Sequence, residues 1–117
     1  MRFKPPKNTR QISWTRHVKE KMRYYNLSEA RLKRVLYHPK RIEKGIVPGT
    51  IALMQPTGTK KHPTEIWLMY QTINKKSKIK NQKIRIITAW RYPGISPVRE
   101  PPPVPEDILK FLWKLKL

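Results

Sequence analysis

The chain has 117 residues, a length that fits one domain with a single modest core. It contains 27 Lys and Arg against seven Asp and Glu, so its formal net charge is +20, and it has no cysteine, which excludes disulfide and thiol chemistry. A surface with this charge attracts polyanions. Nucleic acid is the leading partner, ahead of anionic lipid or an acidic protein, because counterion release from phosphates gives a large sequence-independent affinity.

The apolar residues are too dispersed for a membrane span or a secretory signal. No uninterrupted apolar segment approaches the roughly 20 residues that a membrane-spanning helix needs. The first segment, MRFKPPKNTRQ, is basic but has no apolar run behind it. We therefore expect a cytoplasmic protein in which residues 1–11 form a basic arm.

Two consecutive helices are predicted after this arm. Val18, Met22 and Tyr25 follow one another at spacings of four and three residues, which is one stripe of a helix. Thr15 is a suitable N-cap for this first helix, and Asn26 can adopt the left-handed conformation that ends it.

The second helix is predicted to begin directly after the first. Ser28 is a suitable N-cap, and Leu27 and Leu32 occupy the two positions of a hydrophobic staple. The helix should end before Pro39, since proline disfavours helical conformation in the residue before it.

Beyond Pro39 the apolar pattern becomes that of β-strands. The segments EIWLMYQTI and KIRIITAWRY are the strongest candidates, because they are rich in β-branched and aromatic residues. RIEKGIVPG and TIALMQ are further candidates, and Ile12–Trp14 fits a short edge strand. This order predicts an α+β fold: two N-terminal helices on one face of a three- to four-stranded antiparallel sheet, followed by a C-terminal helix.

The C-terminal region is predicted to be a linker and a helix. Residues 96–104 are rich in proline and should form an extended linker between a core domain of residues 12–95 and a helix of residues 105–117. This amphipathic helix has acids at its start and lysines at its end. So short a helix is marginal alone in water, so we expect it to dock on its own domain, on a partner protein or on a membrane surface.

The residue types argue against metal-dependent and nucleotide-dependent chemistry. The three histidines lie far apart, the carboxylates are scattered, and no phosphate-binding glycine loop or G-x-S-x-G motif is present. We therefore predict no metal and no cofactor, which leaves metal-free cleavage of a phosphodiester. Such cleavage of RNA uses the 2′-hydroxyl as nucleophile, with His or Lys to move protons and Arg or Lys to stabilise the phosphate.

His17, at the start of the first helix, is the leading candidate for proton transfer. Lys21 follows one turn later on the same side of the helix. A helix N-terminus and a cationic neighbour both disfavour the imidazolium form, which would leave His17 a base at neutral pH. The alternative is a structural histidine that satisfies a backbone group where the helix meets the sheet.

Arginines in the last predicted strand, KIRIITAWRY, are candidates for phosphate contacts. Strict alternation places Arg85 and Arg91 on a face free of helices, where a phosphate backbone could lie, or where they could be solvated edge charges. The opposite face, under the helices, then contains Ile84, Ile86, Thr88 and Trp90. Further candidate nucleic-acid contacts are Arg23 on the first helix and, in a basic hairpin loop, Lys75, Lys76, Lys78 and Lys80. The aromatic residues that could stack bases or pack in the core are Trp67, Tyr70 and Trp90.

Two segments of the chain resemble motifs of small prokaryotic domains. HVKEKMRYYNLS is similar to a helix with the pattern H-A-x-x-R-M-x-x-R-G-I-S, and KIRIITAWR is similar to a closing strand V-I-T-x-Y-R and to the R-I-I-S-A-R motif of BrnT-type toxins. Both groups belong to the RelE/ParE-like toxin superfamily, and the resemblance runs from Ile12 to Tyr92. It implies a compact α+β fold and, for many members, a metal-independent endoribonuclease held in check by an acidic antitoxin.

Residue by residue, the resemblance aligns His17 with the family histidine and Lys21 with its first arginine. Thr88 and Arg91 align with the closing strand, whereas Tyr25 stands where the second arginine is usual. The resemblance implies a toxin that cleaves RNA, free or bound to the ribosome, with His17, Lys21, Thr88 and Arg91 as its catalytic residues.

Two other functions stay open on the sequence. The chain could be a non-catalytic accessory protein that binds RNA or DNA, or a partner-docking protein that uses its C-terminal helix.

The catalytic hypothesis also requires one geometric condition. His17 belongs to the helix layer and the two strand arginines to the opposite face, so they share a site only if the helix N-terminus reaches the sheet edge.

Overall fold

Three helices and one five-stranded sheet make up the part of the chain that the computed structural model describes, residues 3–73, 83–98 and 100–115. In chain order the elements are β1 (Ile12–Trp14), α1 (Arg16–Tyr25), α2 (Glu29–Tyr37), β2 (Arg41–Lys44), β3 (Thr50–Gly58), β4 (Pro63–Thr72), β5 (Ile84–Pro93) and α3 (Glu106–Lys114). The four lysines of the predicted basic loop, Lys75, Lys76, Lys78 and Lys80, lie outside the described residues. No helix in these ranges has the length and apolar character needed to cross a membrane.

The strands form one sheet in the order β1-β5-β4-β3-β2. β2 to β5 pair antiparallel, whereas β1 pairs parallel with β5 through Ile12 and Ile84. The α+β class, the helix order and the four antiparallel strands are confirmed. The sheet has one strand more than predicted, because the edge strand β1 joins it in parallel pairing. The local sequence of β1 predicts a short edge strand. It does not identify the strand with which β1 pairs, because that strand lies some 70 residues later in the chain.

The first two helices begin and end at the residues that the sequence predicts. The Thr15 side chain accepts a hydrogen bond from the backbone of Val18 at the start of α1, and Asn26 ends that helix with a left-handed φ of 57°. The Ser28 side chain caps α2 in the same way by accepting from Arg31. Local capping chemistry therefore defines both helix starts and the sharp turn between them.

The sheet carries a hydrophobic core on each face. We call the face against α1 and α2 the helix side; its buried residues include Val18, Met22, Leu32, Val35, Leu53, Ile66, Leu68, Ile86 and Ala89. We call the opposite face the α3 side; its buried residues are Ala52, Met54, Trp67, Met69, Ile87, Trp90, Ile108 and Leu112. The expectation of a face free of helices is therefore wrong, because α3 docks on its own domain and covers that face.

A β-bulge reverses the expected orientation of the second half of β5. The register between β4 and β5 shifts between Met69 and Tyr70, which leaves Ile87 as an extra residue. Beyond the bulge, Ala89 lies on the helix side and Trp90 on the α3 side, the reverse of strict alternation. Trp90 stacks on buried Trp67 with 5.8 Å between ring centroids, so both indoles serve core packing and not base stacking.

Two prolines lie at positions where no backbone N–H group is needed for a hydrogen bond. Pro56 is inside β3, but β2 pairs with β3 only from Ile51 to Met54, so β3 is an edge strand at Pro56. Pro105, where the sequence predicts that the helix begins, is the N-cap of α3 and directly precedes its first helical residue.

Candidate functional site

The first turn of α1 lies along the free edge of β5. The Thr15 hydroxyl donates to the Ile87 carbonyl at 2.8 Å, and the Thr15 backbone N–H donates to the Ile86 carbonyl. Two residues later, the His17 Nε2 atom lies 2.9 Å from the Thr88 hydroxyl, within hydrogen-bonding distance. The helix N-terminus thus reaches the sheet edge, and it covers β-strand backbone that would otherwise be unpaired. Two of the predicted catalytic residues, His17 and Thr88, are brought together.

Helix α3 closes over this pair. The Phe111 ring stacks on the His17 imidazole with centroids 3.6 Å apart and planes only 3° from parallel. One turn away on both helices, Lys21 forms an ion pair with Asp107, and its side chain is only 19% exposed. One face of the imidazole is therefore covered, and the ammonium charge of Lys21 already has a carboxylate partner.

The environment of His17 lowers its pKa from 6.5 to about 4. Burial is the largest cause and the positive charge of Lys21 is the next, while Glu20 and Asp107 act in the opposite direction. The imidazole is therefore neutral at pH 7 and chemically able to accept a proton. The direction of this pKa shift agrees with the expectation from the sequence. The burial of the His17 ring against α3 was not predicted.

Arg91 lies at the other end of α1. Its Nη2 atom donates to the carbonyl oxygen of Tyr25, the last residue of the helix, at 3.3 Å. His17 is eight residues earlier, which is about 12 Å along a helix axis. The prediction that Arg91 shares a face with Arg85 is wrong, because the bulge turns Arg91 to the helix side. His17, Lys21 and Thr88 form one cluster, and Arg91 is not part of it.

The other predicted nucleic-acid contacts are dispersed. Arg85 is exposed, and its position between Ile84 and Ile86, which pack on the helix side, places it on the α3 side of β5. Arg23 is exposed in the last turn of α1. Neither residue forms an ion pair with a carboxylate in the described ranges.

A cluster of three arginines, Arg31, Arg34 and Arg91, was not predicted; we call it the arginine cluster. Gln55 on β3, Ile66 on β4 and Arg91 on β5 are in register, so they form one row across the helix side of the sheet. Above this row, an Nη1 group of Arg31 donates to the Gln55 side-chain oxygen. The Gln55 amide nitrogen donates in turn to the Arg34 carbonyl at 3.1 Å.

The arginine cluster concentrates positive charge. Burial and the neighbouring charges of Arg34 and Arg91 lower the pKa of Arg31 from its usual value, although a guanidinium stays charged at any physiological pH. No carboxylate in the described part of the chain lies within 4.0 Å of any of the three side chains. The spacing of Arg31 and Arg34 on one helix was visible in the sequence, but their approach to Arg91 depends on the bulge.

A buried carboxylate, Glu65, was also missed. It is 2% exposed and accepts hydrogen bonds from the Trp67 indole at 3.0 Å and from the backbone and hydroxyl of Ser96 at 3.2 and 2.6 Å. Arg41 lies 3.9 Å from the carboxylate and 5.1 Å from the Trp67 ring centroid. This network attaches the segment after β5 to the α3 side and has the character of a structural site.

Within residues 3–73, 83–98 and 100–115, no three His, Asp or Glu side chains are grouped so as to hold a metal ion. Comparison of the chain with protein-family models, with curated proteins and with solved structures returns no match. The resemblance to RelE/ParE-like toxins therefore stays a prediction from the two motifs.

Proposed function

We propose that the chain is a nucleic-acid-binding protein, with RNA as its first candidate ligand. The observation that supports the proposal is that almost all of its few carboxylates are used internally. Six of the seven acids have a Lys or Arg within 4.0 Å: Glu20, Glu29, Glu43, Glu65, Glu106 and Asp107. These contacts engage only five of the 20 Lys and Arg in the described residues, so most of the positive charge there is left for an external polyanion.

The arginine cluster favours binding of nucleic acid over a positive surface charge that has no specific ligand. Guanidinium groups donate in a planar fork that matches phosphate oxygens, and they bind phosphate more specifically than an ammonium group does. Hydrogen bonds to Gln55 and to the Tyr25 carbonyl position Arg31 and Arg91, and the exposed Arg34 is close enough for its charge to act on Arg31. An acidic antitoxin, which the resemblance implies, is a further proposed partner for the same charge.

Metal-independent cleavage of RNA is the second candidate function. It is favoured by the neutral imidazole of His17 beside the Thr88 hydroxyl, with the Lys21 ammonium group one turn away. In that reaction His17 would take the 2′-hydroxyl proton as the 2′-oxygen bonds to phosphorus, and Lys21 would stabilise the phosphate. The bond from phosphorus to the 5′-oxygen would break, with water supplying a proton to the leaving oxygen. Phe111 covers the His17 ring and Asp107 pairs with the Lys21 ammonium group. Cleavage therefore requires that α3 moves away from α1.

The test is titration of a fluorescent single-stranded RNA of about 30 nucleotides, and of DNA of the same sequence, in EDTA. We expect binding at low ionic strength whose affinity falls steeply between about 50 and 300 mM NaCl, because phosphate contacts release counterions. The absence of binding to both ligands at the lowest salt contradicts the proposed function.

Gel analysis of the same RNA after incubation tests the second candidate. Intact RNA supports a binding protein. Cleavage that is lost in His17→Ala, while binding persists, supports the ribonuclease.

A further inference from the structure

The helix side of the sheet continues beyond the arginine cluster as a polar surface. The row that contains Gln55, Ile66 and Arg91 is followed, two residues along each strand, by a row of Thr57, Thr64 and Pro93. Both threonines are partly exposed. Arginines and hydroxyl groups thus lie side by side at this end of the sheet, and hydroxyl groups are common partners of phosphate oxygens.

We infer that Arg31, Arg34 and Arg91 form a binding site for the phosphate backbone of nucleic acid, with Thr57 and Thr64 at its border. This inference rests on the proposed function and adds the location of the nucleic-acid-binding site on the protein. Phosphate is the chemistry that the site recognises, and either RNA or DNA can supply it.

The arginines are held in place by neutral acceptors. Arg31 uses one N–H group on the Gln55 side chain, and Arg91 uses one on the Tyr25 carbonyl. Each guanidinium has five N–H groups, so most of the donors are left for a ligand. Because neutral acceptors leave the net charge unchanged, the cluster is positioned without being neutralised.

The contrast with Lys21 shows why this cluster and not the His17 cluster is the binding site. Lys21 is neutralised by Asp107 and lies under α3. The arginine cluster combines three like charges that repel one another, and a bound phosphate relieves that repulsion. Its row spans β3 to β5, two strand spacings or about 10 Å, which is wide enough for more than one phosphate contact.

The experiment compares two triple variants of equal net charge in the same titration of RNA and DNA. The site variant is Arg31→Gln, Arg34→Gln and Arg91→Gln. The control is Lys4→Gln, Arg10→Gln and Lys44→Gln, three exposed positions, of which Lys44 pairs with Ile51 toward the other end of β3. We expect the site variant to weaken binding of both ligands at least about 10-fold more than the control does. The dependence of the logarithm of the affinity on the logarithm of the NaCl concentration should also decrease more, because fewer counterions are released.

Folding of each variant is checked by its thermal melt. If the site variant does not fold, Arg34→Gln alone replaces it, because the Arg34 side chain is exposed. That single variant should weaken binding about 3-fold, against no measurable change for Lys44→Gln.

Equal losses in the site and control variants would overturn the inferred site and leave the proposed function intact, because binding would then be spread over the whole surface. Absence of binding by the unmodified protein would instead overturn the proposed function itself.

Discussion

The His17 ring is held between a hydroxyl group on β5 and an aromatic ring on α3. This position disfavours the imidazolium form in the folded chain, but the unfolded chain protonates near pH 6.5. The folded state therefore binds fewer protons than the unfolded state between these two pKa values. It follows that His17 stabilises the fold above pH 6.5 and that this contribution is lost as the pH falls toward 4.

We predict that the free energy of unfolding decreases between pH 6.5 and pH 4.5. The interval from 6.5 to about 4 corresponds to about 3 kcal/mol at most, and solvent contact at the half-buried ring reduces this to about 1–2 kcal/mol. Urea unfolding at several pH values measures it. The decrease should be smaller in His17→Gln and unchanged in His38→Gln, which alters an exposed histidine. An equal decrease in all three proteins would contradict the assignment to His17.

The buried carboxylate of Glu65 should be much more important for stability than a partly exposed one. Glu65→Ala removes the partner of Trp67, Ser96 and Arg41 together, and we expect a loss of about 3–5 kcal/mol. Glu43→Ala is the matched control, since Glu43 also lies 3.9 Å from Arg41 but is more exposed, and should cost about 0–1 kcal/mol. Urea denaturation measures both; equal losses would show that the buried network is not the cause.

At the scale of elements, α3 is an integral part of the fold, because its apolar side fills the α3-side core. Leu112→Ala should lower the free energy of unfolding by about 2–5 kcal/mol, the usual range for a buried leucine. Trp113→Ala, next in sequence but 73% exposed, should change it by no more than about 0.5 kcal/mol. Denaturant unfolding of the two variants is the measurement, and similar effects would contradict the docking of α3.

Local chemistry made most of the elements predictable. Thr15, Ser28 and Asn26 define helix ends by hydrogen bonds within a few residues, so their identity in the sequence is sufficient. The position of Arg91 was not predictable in this way. A bulge depends on how two strands pair, and one inserted residue at Ile87 turns every later side chain of β5 to the other face.

The candidate sites were less predictable than the elements. His17 and Thr88, both candidates from the motif resemblance, lie within hydrogen-bonding distance although 71 residues separate them, and this proximity was not predicted. The covering of His17 by Phe111 was missed because the sequence does not show which face an isolated amphipathic helix selects. Arg31 and Arg34 were missed because, read alone, two arginines on a helix look like solvated surface charges.

At the scale of the whole molecule, the net charge of +20 should oppose folding through self-repulsion. Added NaCl screens that repulsion, and we predict that the melting temperature rises by about 4 °C between low and physiological salt, the shift that about 1 kcal/mol produces in a domain of this size. Scanning calorimetry measures the rise. The variant with Lys4→Gln, Arg10→Gln and Lys44→Gln should show a smaller rise, and a melting temperature that falls with salt would contradict the prediction.

The parallel pairing of β1 with β5 also has a consequence for biosynthesis. β1 and α1 leave the ribosome before β5, the strand that completes their packing, which is synthesised some 70 residues later. Until then the nascent chain can form α1 and α2 but cannot bury their apolar sides on the finished sheet. Native closure is therefore expected to wait until β5 has been synthesised, and repulsion between like-charged chains opposes self-association in the meantime.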